Sequence, residues 1–494
     1  GAANMSRPLG PAKHLRAVSR SPIPPLCYYI AFGGAVAILA TGVSGDNLPL
    51  TVCAALVFST LVRLLWTQPP ALVFAAGLQF VAIATKLIQA NIKGVPINNL
   101  SDLGADVEFA AYAALAGLVA MGLGMYVGVR AMGLEARNQL AEDAANWTPW
   151  DAFLFCLGTI GLQIVFQAAS QLSGGLAQFF EAAGGIQWVG VFILACTCIS
   201  RQQSYSLLAL VLLLEVGIGL TGAHSNFKEV FFVVLIAMLA SYRKVAVGAM
   251  AGMSVVLALL LVLSAYWTLI KPQYRAFIGT GSPSLEERYE FLMRDAAQVD
   301  GSALVSGFDR LADRVAYIDF FAKTMDYVPR VRPHEDGAML GAAFSHIFQP
   351  RLFFPDKPAL ENDTAVTGRY TGISEYRQEY NASISIGFFG ELYIDFGVAG
   401  MIFCLAVLGL FYGLTFGYIL INKKTSPLIN AGLSVMAGLT FWQFERSLPK
   451  TVGGAVTTIL VVLILRRYCF PVFMRRIAKA RGLPRRYGMQ AGAP

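Results

Sequence analysis

Residues 245–270 read VAVGAMAGMSVVLALLLVLSAYWTLI and contain no charged side chain. A helix of about 20 apolar residues crosses a bilayer, so this stretch predicts a membrane-spanning helix. Residues 398–421 form a second uncharged run. Outward from these two stretches, similar apolar runs recur along the chain and predict about 12 spans. The predicted spans cover residues 25–44, 47–66, 70–90, 107–129, 151–171, 184–200, 204–221, 228–242, 245–270, 390–421, 426–444 and 450–470.

The composition of the 494-residue chain is that of a membrane protein. Hydrophobic residues make up 56% of it and charged residues only 14%, whereas soluble proteins carry about 25% charged residues. This balance excludes disordered, collagen-like and disulfide-scaffold proteins, and it predicts an all-α, polytopic fold. The net charge is +8. Because Lys and Arg accumulate in cytoplasmic loops, the excess indicates orientation rather than a nucleic-acid partner.

The distribution of Lys and Arg predicts the orientation of the chain in the membrane. With the N-terminus inside and 12 crossings, the inside segments hold 20 Lys and Arg residues against four acidic residues. Short outside turns are poor in cations or balanced by acids. This asymmetry predicts that both ends of the chain are cytoplasmic.

The same pattern divides the chain into five parts. Residues 1–24 form a cytoplasmic N-terminal segment, whose first four residues, GAAN, resemble a tag scar, and no cleavable signal is evident. Nine spans within 25–270 are followed by a large outer loop at 271–385. The last three spans lie within 386–470, and 471–494 form a basic cytoplasmic tail.

The outer loop is too long to be a simple linker. It holds 13 Lys and Arg residues and 16 Asp and Glu residues, so its charge is nearly balanced. Part of it has helical periodicity, which predicts an amphipathic helix that lies on the membrane face, roofs a cavity, or simply packs on its neighbours. The apolar stripe consists of Leu304, Phe308, Leu311, Val315, Ile318 and Ala322.

Three polar groups in the loop are candidates for binding a phosphate-bearing lipid head group. Arg330, Arg332 and His334 form the first group. The other two are HIFQPRLFFPDKPALEN at 346–362 and TGRYTGISEYRQEYNAS at 367–383. Arginine grips phosphate with two parallel hydrogen bonds and keeps its charge. The alternative is that each arginine pairs with one of the acids nearby.

Polar groups at the mouths of spans are further candidates, because charge at membrane depth is costly. Glu391, Tyr393 and Asp395 begin a span, where the two carboxylates either act in function or cap that helix. Lys228 and Arg446 lie at the mouths of different spans and could converge on one anion.

The sequence contains none of the common phosphate-, nucleotide- or zinc-binding motifs, such as a P-loop or HExxH. The first outer loop has no Asp-x-Asp cluster of the kind that many lipid-linked-sugar transferases use for a metal. We therefore expect chemistry on the outer side that uses neither a metal nor a cofactor.

Four stretches together resemble one known family. QPRLFFPDKP at 349–358 followed by GFFGELYIDFGVAG at 387–400 resembles the Wzy-type oligosaccharide repeat-unit polymerases. TGAHSNFKEVFF at 221–232 is similar to a helix start of that family, apart from its His224. FERSLPK at 444–450 is similar to the late outer arginine of the family.

The resemblance implies a fold distantly similar to O-antigen ligases and GT-C glycosyltransferases. It implies an inner-membrane enzyme of lipopolysaccharide or exopolysaccharide synthesis, with a periplasmic active site and undecaprenyl-diphosphate-linked repeat units as substrates. A chain-length regulator protein is an implied partner. Alternatives are a ligase-type glycan transferase and, in a different class, a flippase or transporter for the lipid-linked oligosaccharide. The large outer loop favours the enzyme, because a flippase needs no such loop.

The residue pattern and the resemblance together predict a role for each site residue. The catalytic candidates are His346, His334, Glu391 and Arg351. The candidates for binding diphosphate are Lys228, Arg310, Arg314, Arg369, Arg377 and Arg446. The candidates for binding glycan are His224, Tyr370, Glu375, Tyr393 and Asp395.

Overall fold

The structure is a computed structural model that describes most of the chain as helices. It describes residues 25–42, 45–67, 69–133, 139–221, 227–242, 247–279, 281, 283–349, 354, 356, 360–373, 384–422 and 425–471. The predicted N-terminal segment and nearly all of the basic tail lie outside these ranges. No β-strand occurs within them, so the prediction of an all-helical protein is confirmed there.

Nineteen α-helices are described, and short 3₁₀ turns flank some of them. The helices are α1 Pro25–Gly42, α2 Leu48–Leu65, α3 Ala71–Lys93, α4 Val107–Ala131, α5 Gln139–Asn146, α6 Pro149–Leu172, α7 Ala177–Gly184, α8 Ile186–Arg201, α9 Tyr205–Thr221, α10 Phe227–Ser241, α11 Val247–Gly279, α12 Leu285–Ala296, α13 Gly301–Val315, α14 Ile318–Tyr327, α15 Ala338–Phe348, α16 Asp363–Thr371, α17 Phe388–Leu420, α18 Pro427–Gly438 and α19 Leu448–Ile464.

Local sequence signals explain where several helices begin. Thr148 precedes α6, and its hydroxyl accepts a hydrogen bond from the backbone N–H of Asp151. Ser284 and Glu287 form a reciprocal capping box at the start of α12. Such caps satisfy backbone N–H groups that have no partner within the helix.

Within the described ranges, eight helical segments are long and apolar enough to cross a membrane, which is consistent with a polytopic membrane protein. They are Leu48–Leu65, Ala71–Lys93, Val107–Ala131, Pro149–Leu172, Gly174–Arg201, Val247–Gly279, Phe388–Leu420 and Leu448–Cys469. The four other predicted spans coincide with α1, α9, α10 and α18, which have at most 18 residues.

Helices α4 and α17 form the most extensive helix–helix contact of the bundle. Their backbones approach so closely that a Cβ atom on Gly409 would lie 2.0 Å from the carbonyl oxygen of Met121. Small residues permit this approach, and van der Waals packing then holds helices together in lipid, where the hydrophobic effect contributes little. Met121 and Leu405 are fully buried at this contact.

Helices α12 to α16 lie at one end of the bundle, which we call the capped end. α11 ends there and α10, α17 and α19 begin there. α11 continues nine residues past the predicted span end at 270 without a break. The predicted amphipathic helix is present as two helices, since α13 ends at Val315 and α14 starts at Ile318.

A buried ion pair connects α14, at the capped end, to α3 of the bundle. The Lys86 ammonium of α3 lies 2.8 Å from Asp319 of α14 and 3.1 Å from Asp102. Lys86 and Asp319 are both buried, so neither charge is solvated by bulk water. Removing one partner of such a pair leaves an uncompensated buried charge. The pair therefore fixes where α14 sits on α3.

Candidate functional site

Four cations from three helices meet at the capped end. They are Lys228 of α10, Lys271 and Arg275 of α11, and Arg314 of α13, and we call them the cation cluster. Arg314 interacts electrostatically with Lys228 and Arg275. Lys271 interacts with all three of the others. The two lysines are half-buried and the two arginines are exposed, so an incoming ligand can reach all four.

The cation cluster has little negative charge to balance it. Among the described residues, none of the four forms an ion pair within 4.0 Å of a carboxylate. Glu445 interacts with Lys228 and Arg314 at longer range. Although part of the Arg314 side chain is exposed, desolvation by the surrounding helices lowers its pKa, Glu445 opposes this shift, and the neighbouring Arg275 adds to it. Like charges held together in this way attract a polyanion.

The phenol of Tyr317 borders the cluster and links it to the start of α17. Its hydroxyl accepts a hydrogen bond of 3.0 Å from the backbone N–H of Ser385. Burial raises the pKa of Tyr317 well above its ordinary value, so the phenol stays neutral. Arg314 and Glu445 both interact with this side chain. The cluster therefore has a rigid, uncharged wall on this side.

Two members of the cluster were missed as site residues because the apolar run ends at Ile270. Lys271 and Arg275 were assigned to the outer loop by composition. In the structure they lie on the last turns of α11, four residues apart and thus on one face of the helix. Their spacing is the only signal in the sequence that could have identified them.

A second group of polar residues, the mixed cluster, lies beside the first. It contains Glu229 of α10, Arg446 of the 439–447 segment, Tyr412 of α17, Trp188 of α8 and Glu181 of α7. Arg446 interacts electrostatically with Glu181, Glu229 and Tyr412. Trp188 donates a hydrogen bond to the Glu229 carboxylate. Carboxylate, guanidinium and phenol groups together suit a ligand rich in hydroxyls.

Two buried polar atoms, one in the mixed cluster and one beside it, lack partners among the described residues. The Tyr412 side chain is 3% exposed and its hydroxyl has no hydrogen-bond partner there. Glu215 of α9 is 6% exposed, its Oε1 atom is likewise unpartnered, and its carboxylate interacts with Glu229. Buried polar groups normally find partners, so these atoms are candidates for contact with a ligand or water.

The two clusters share two stretches of backbone. On α10, Lys228 belongs to the cation cluster and the next residue, Glu229, belongs to the mixed cluster. In the 439–447 segment, Glu445 faces the cations and Arg446 faces Glu229. Because consecutive residues serve the two clusters, their ligands would lie close to each other.

Glu391 and Asp395, which the sequence analysis placed in the site, cap helices in the structure. The Glu391 carboxylate accepts a 2.6 Å hydrogen bond from the backbone N–H of Leu448, at the start of α19. Asp395 accepts from the N–H groups of Met339 and Leu340, at the start of α15. Both carboxylates are buried. They cap neighbouring helices rather than their own.

Tyr393 and His334 lie at a break in α17. Gly397 has φ +67° and ψ −171°, a conformation that essentially only glycine adopts. Near this break, the carbonyl oxygen of Ile394 accepts a hydrogen bond from the backbone N–H of Glu335. The Nδ1 atom of His334 lies 3.1 Å from the same carbonyl oxygen. The Tyr393 hydroxyl donates to the carbonyl of Val328. These contacts hold the 328–335 segment against α17.

The remaining described candidates are spread over the capped end. Tyr370 donates to Glu335 at 2.7 Å and lies under the Arg332 guanidinium. Burial and this hydrogen bond raise the pKa of Tyr370 to about 12. Arg369 pairs with Glu361 on the surface. Arg310 is exposed on α13, and His346 is half-buried on α15.

Four predicted site residues lie outside the described residues. They are Arg351, His224, Glu375 and Arg377. Within the described part of the chain, no group of three or more His, Cys, Asp or Glu residues is arranged to hold a metal ion.

The fold and the two clusters define a helical protein of the polytopic membrane class, with a cationic site at one end of the bundle. The chain belongs to the family described as a domain of unknown function, DUF8712, which matches residues 103–424. All four residues of the cation cluster fall within the matched region, and Arg446 lies just beyond it. Neither the curated proteins nor the solved structures that were searched give a match.

Proposed function

We propose that the protein is a glycosyltransferase that polymerises oligosaccharide repeat units carried on undecaprenyl diphosphate, as in O-antigen or exopolysaccharide synthesis. The observation that carries the proposal is the cation cluster, which has no carboxylate ion pair among the described residues. Repulsion among four cations is relieved when a polyanion binds between them. A lipid diphosphate supplies such an anion at the membrane and is also a good leaving group.

In this proposal twelve helices cross the bacterial inner membrane, and the capped end faces the periplasm. The twelve are α1 to α4, α6, α8 to α11 and α17 to α19. Support comes from the 20 Lys and Arg residues against four acids in the segments that would then be cytoplasmic. No nucleotide sugar is available in the periplasm, which suits a donor activated by diphosphate.

The proposed reaction joins two lipid-linked glycans. A hydroxyl of the new repeat unit attacks the anomeric carbon of the growing glycan, and the bond from that carbon to the diphosphate oxygen breaks. The diphosphate leaves with the electron pair, and the cation cluster stabilises its charge. Lysine and arginine provide the positive charge that a metal supplies in other transferases, so the reaction is proposed to be metal-independent.

Deletion of the gene from its source organism tests this function directly. We expect loss of the polymer ladder on a gel of surface glycans, with single repeats remaining. Polymer that forms normally but stays unattached to its final acceptor would favour a ligase instead. Lipid-linked repeats that accumulate on the cytoplasmic face would favour a flippase.

Single substitutions test whether the cation cluster takes part. We expect Lys271→Gln and Arg314→Gln each to lower the rate of polymer formation by about 100-fold, the usual effect of removing one contact to developing charge. Purified proteins of matched thermal stability are assayed on the lipid-linked oligosaccharide pool extracted from deletion cells. Arg294→Gln is the control, because Arg294 is exposed on α12. Near-normal rates for both cluster variants would refute the assignment.

A further inference from the structure

We infer that Glu229 is the catalytic base that removes the proton from the acceptor hydroxyl, and that the mixed cluster is the acceptor subsite. This inference rests on the proposed function. It assigns a role to a carboxylate that is absent from the sequence-based candidates, and it separates the site into a donor half and an acceptor half.

Glu229 lies at the boundary between the two clusters along the backbone of α10. Glu229 follows Lys228 on the first turn of α10, so the two side chains leave neighbouring backbone positions in different directions, Lys228 toward the cation cluster and Glu229 toward the mixed cluster. A donor sugar whose diphosphate binds among the cations would place its anomeric carbon near the boundary between the clusters. A hydroxyl that attacks this carbon approaches from the side opposite the leaving group, which is the side of the mixed cluster.

Two neighbouring side chains interact with the Glu229 carboxylate. Trp188 donates to the carboxylate and fixes its orientation, and Arg446 interacts with it from the 439–447 segment. The residue as a whole is half-buried among these groups. A general base needs such a fixed orientation relative to the proton that it removes.

A buried hydroxyl without a hydrogen-bond partner among the described residues lies in the mixed cluster. The Tyr412 hydroxyl interacts with Arg446, is buried, and has no hydrogen-bond partner among the described residues. A sugar hydroxyl or a water bound in the mixed cluster would satisfy this group. The mixed cluster thus offers both donors and acceptors to a glycan, whereas the cation cluster offers mainly donors.

In the proposed step, proton transfer to Glu229 accompanies the attack on the anomeric carbon. The acceptor oxygen forms a bond to the anomeric carbon, and its proton moves to the Glu229 carboxylate. The bond from the anomeric carbon to the diphosphate oxygen breaks, and the electron pair leaves with the diphosphate. Glu229 returns its proton to water when the products depart.

Other candidate bases have partners that assign them to different tasks. Glu391 is bound to the start of α19. Glu445 faces Lys228 and Arg314, so its loss is expected to alter binding of diphosphate rather than proton transfer. Glu215 also interacts with Glu229, but it lies six residues before the last residue of α9, Thr221, or about 9 Å along the helix axis at roughly 1.5 Å per residue, and is therefore farther from the capped end.

The test compares Glu229→Gln, Glu229→Asp and Glu290→Gln with the wild type. Glutamine keeps the shape and an oxygen that can accept from Trp188, but it cannot take a proton. Glu290 is exposed on α12 and provides the matched carboxylate control. Two quantities are measured on each protein: the rate of polymer formation from the extracted lipid-linked pool, and the affinity for farnesyl diphosphate.

We expect Glu229→Gln to lower the rate at least about 100-fold, which is the lower range for loss of a general base. Its affinity for farnesyl diphosphate should stay within threefold of the wild type. Glu229→Asp should keep a measurable rate that falls at low pH as its carboxylate is protonated. The residual rate of Glu229→Gln should lack that fall. Among the described residues, the other charged or titratable groups in or beside the mixed cluster are Glu215, Arg446, Glu181 and Tyr412, with Lys228 adjacent on α10, and all of them are unchanged in these variants.

The outcomes separate the two proposals. A wild type that forms no polymer from the extracted pool refutes the proposed function. An active wild type with a Glu229→Gln variant of near-normal rate refutes only the role of Glu229. Equal loss of rate and of farnesyl diphosphate affinity in Glu229→Gln would assign Glu229 to binding and also overturn the inference. If Glu229→Gln is unstable, Glu229→Asp provides the test. A rate of polymer formation by Glu229→Asp that does not fall at low pH would also overturn the role of Glu229.

Discussion

Glu391 illustrates how a carboxylate at membrane depth can be structural. Its sequence context suggested a base at the mouth of a span, yet its Oε2 atom accepts from the N–H of Leu448. The first N–H groups of α19 have no partner within that helix, and the Glu391 carboxylate accepts a hydrogen bond from one of them. A buried carboxylate used in this way holds two helices in register. Protonation of its Oε2 atom would weaken the hydrogen bond that holds the start of α19.

Substitutions at Glu391 can separate the capping role from catalysis. We expect Glu391→Gln to retain most polymer formation, because the amide oxygen still accepts from Leu448. Glu391→Ala removes the cap and should lower stability by about 0.5–2 kcal/mol. Thermal unfolding in detergent and the polymer assay measure the two effects. A Gln variant that is stable but inactive would restore Glu391 as a candidate base.

The contact between α4 and α17 shows why small residues recur on both helices. Gly409 faces the backbone of α4 at a distance that leaves no room for a methyl group. The same α17 breaks at Gly397, and its first half then carries Glu391, Tyr393 and Asp395, which bind three other segments. One helix pair therefore positions the elements at the capped end.

Adding a single methyl group at this contact should lower the stability of the protein. We expect Gly409→Ala to lower stability by about 1–3 kcal/mol, because the helices must move apart to admit the Cβ atom. Gly161→Ala on α6 is the control, since a Cβ atom there meets no atom within 4 Å. That control should be neutral or slightly stabilising, as alanine favours helix by about 1 kcal/mol. Equal unfolding temperatures for the two variants would contradict the close packing.

The orientation of the bundle decides which compartment reaches both clusters. Because the cation cluster and α12 to α16 lie at the capped end, and the mixed cluster shares α10 and the 439–447 segment with the cation cluster, one measurement of sidedness applies to all of them. Among the described cysteines, Cys469 is exposed and would itself react with a thiol reagent. A background with Cys469→Ser therefore suits labelling experiments.

We expect Ser302→Cys, at the exposed start of α13, to react with an impermeant maleimide in intact spheroplasts. Gln203→Cys, between α8 and α9 at the opposite end, should react only after permeabilisation. The physical reason is the excess of Lys and Arg on the side opposite the capped end. Protection of Ser302→Cys together with labelling of Gln203→Cys would invert the orientation and exclude a periplasmic site.

Hydropathy predicted where the helices lie, because burial in lipid constrains each stretch of about 20 residues separately. All twelve predicted segments overlap helices, and eight long apolar segments are consistent with membrane spans. Lys228 and Arg314 were also recognised as candidate cations. These features depend on local composition, which the sequence carries directly.

Only the tertiary structure decided which polar side chains meet. Lys271 and Arg275 join the cation cluster because α11 continues beyond its apolar run, where backbone hydrogen bonds persist although hydropathy falls. Glu391 caps a helix 57 residues away, and no local pattern encodes a partner at that distance. Glu229 acquires its neighbours from α8, α9 and the 439–447 segment only when these pack around α10. Contacts between distant segments are set by helix packing, and the sequence specifies that packing only through the whole fold.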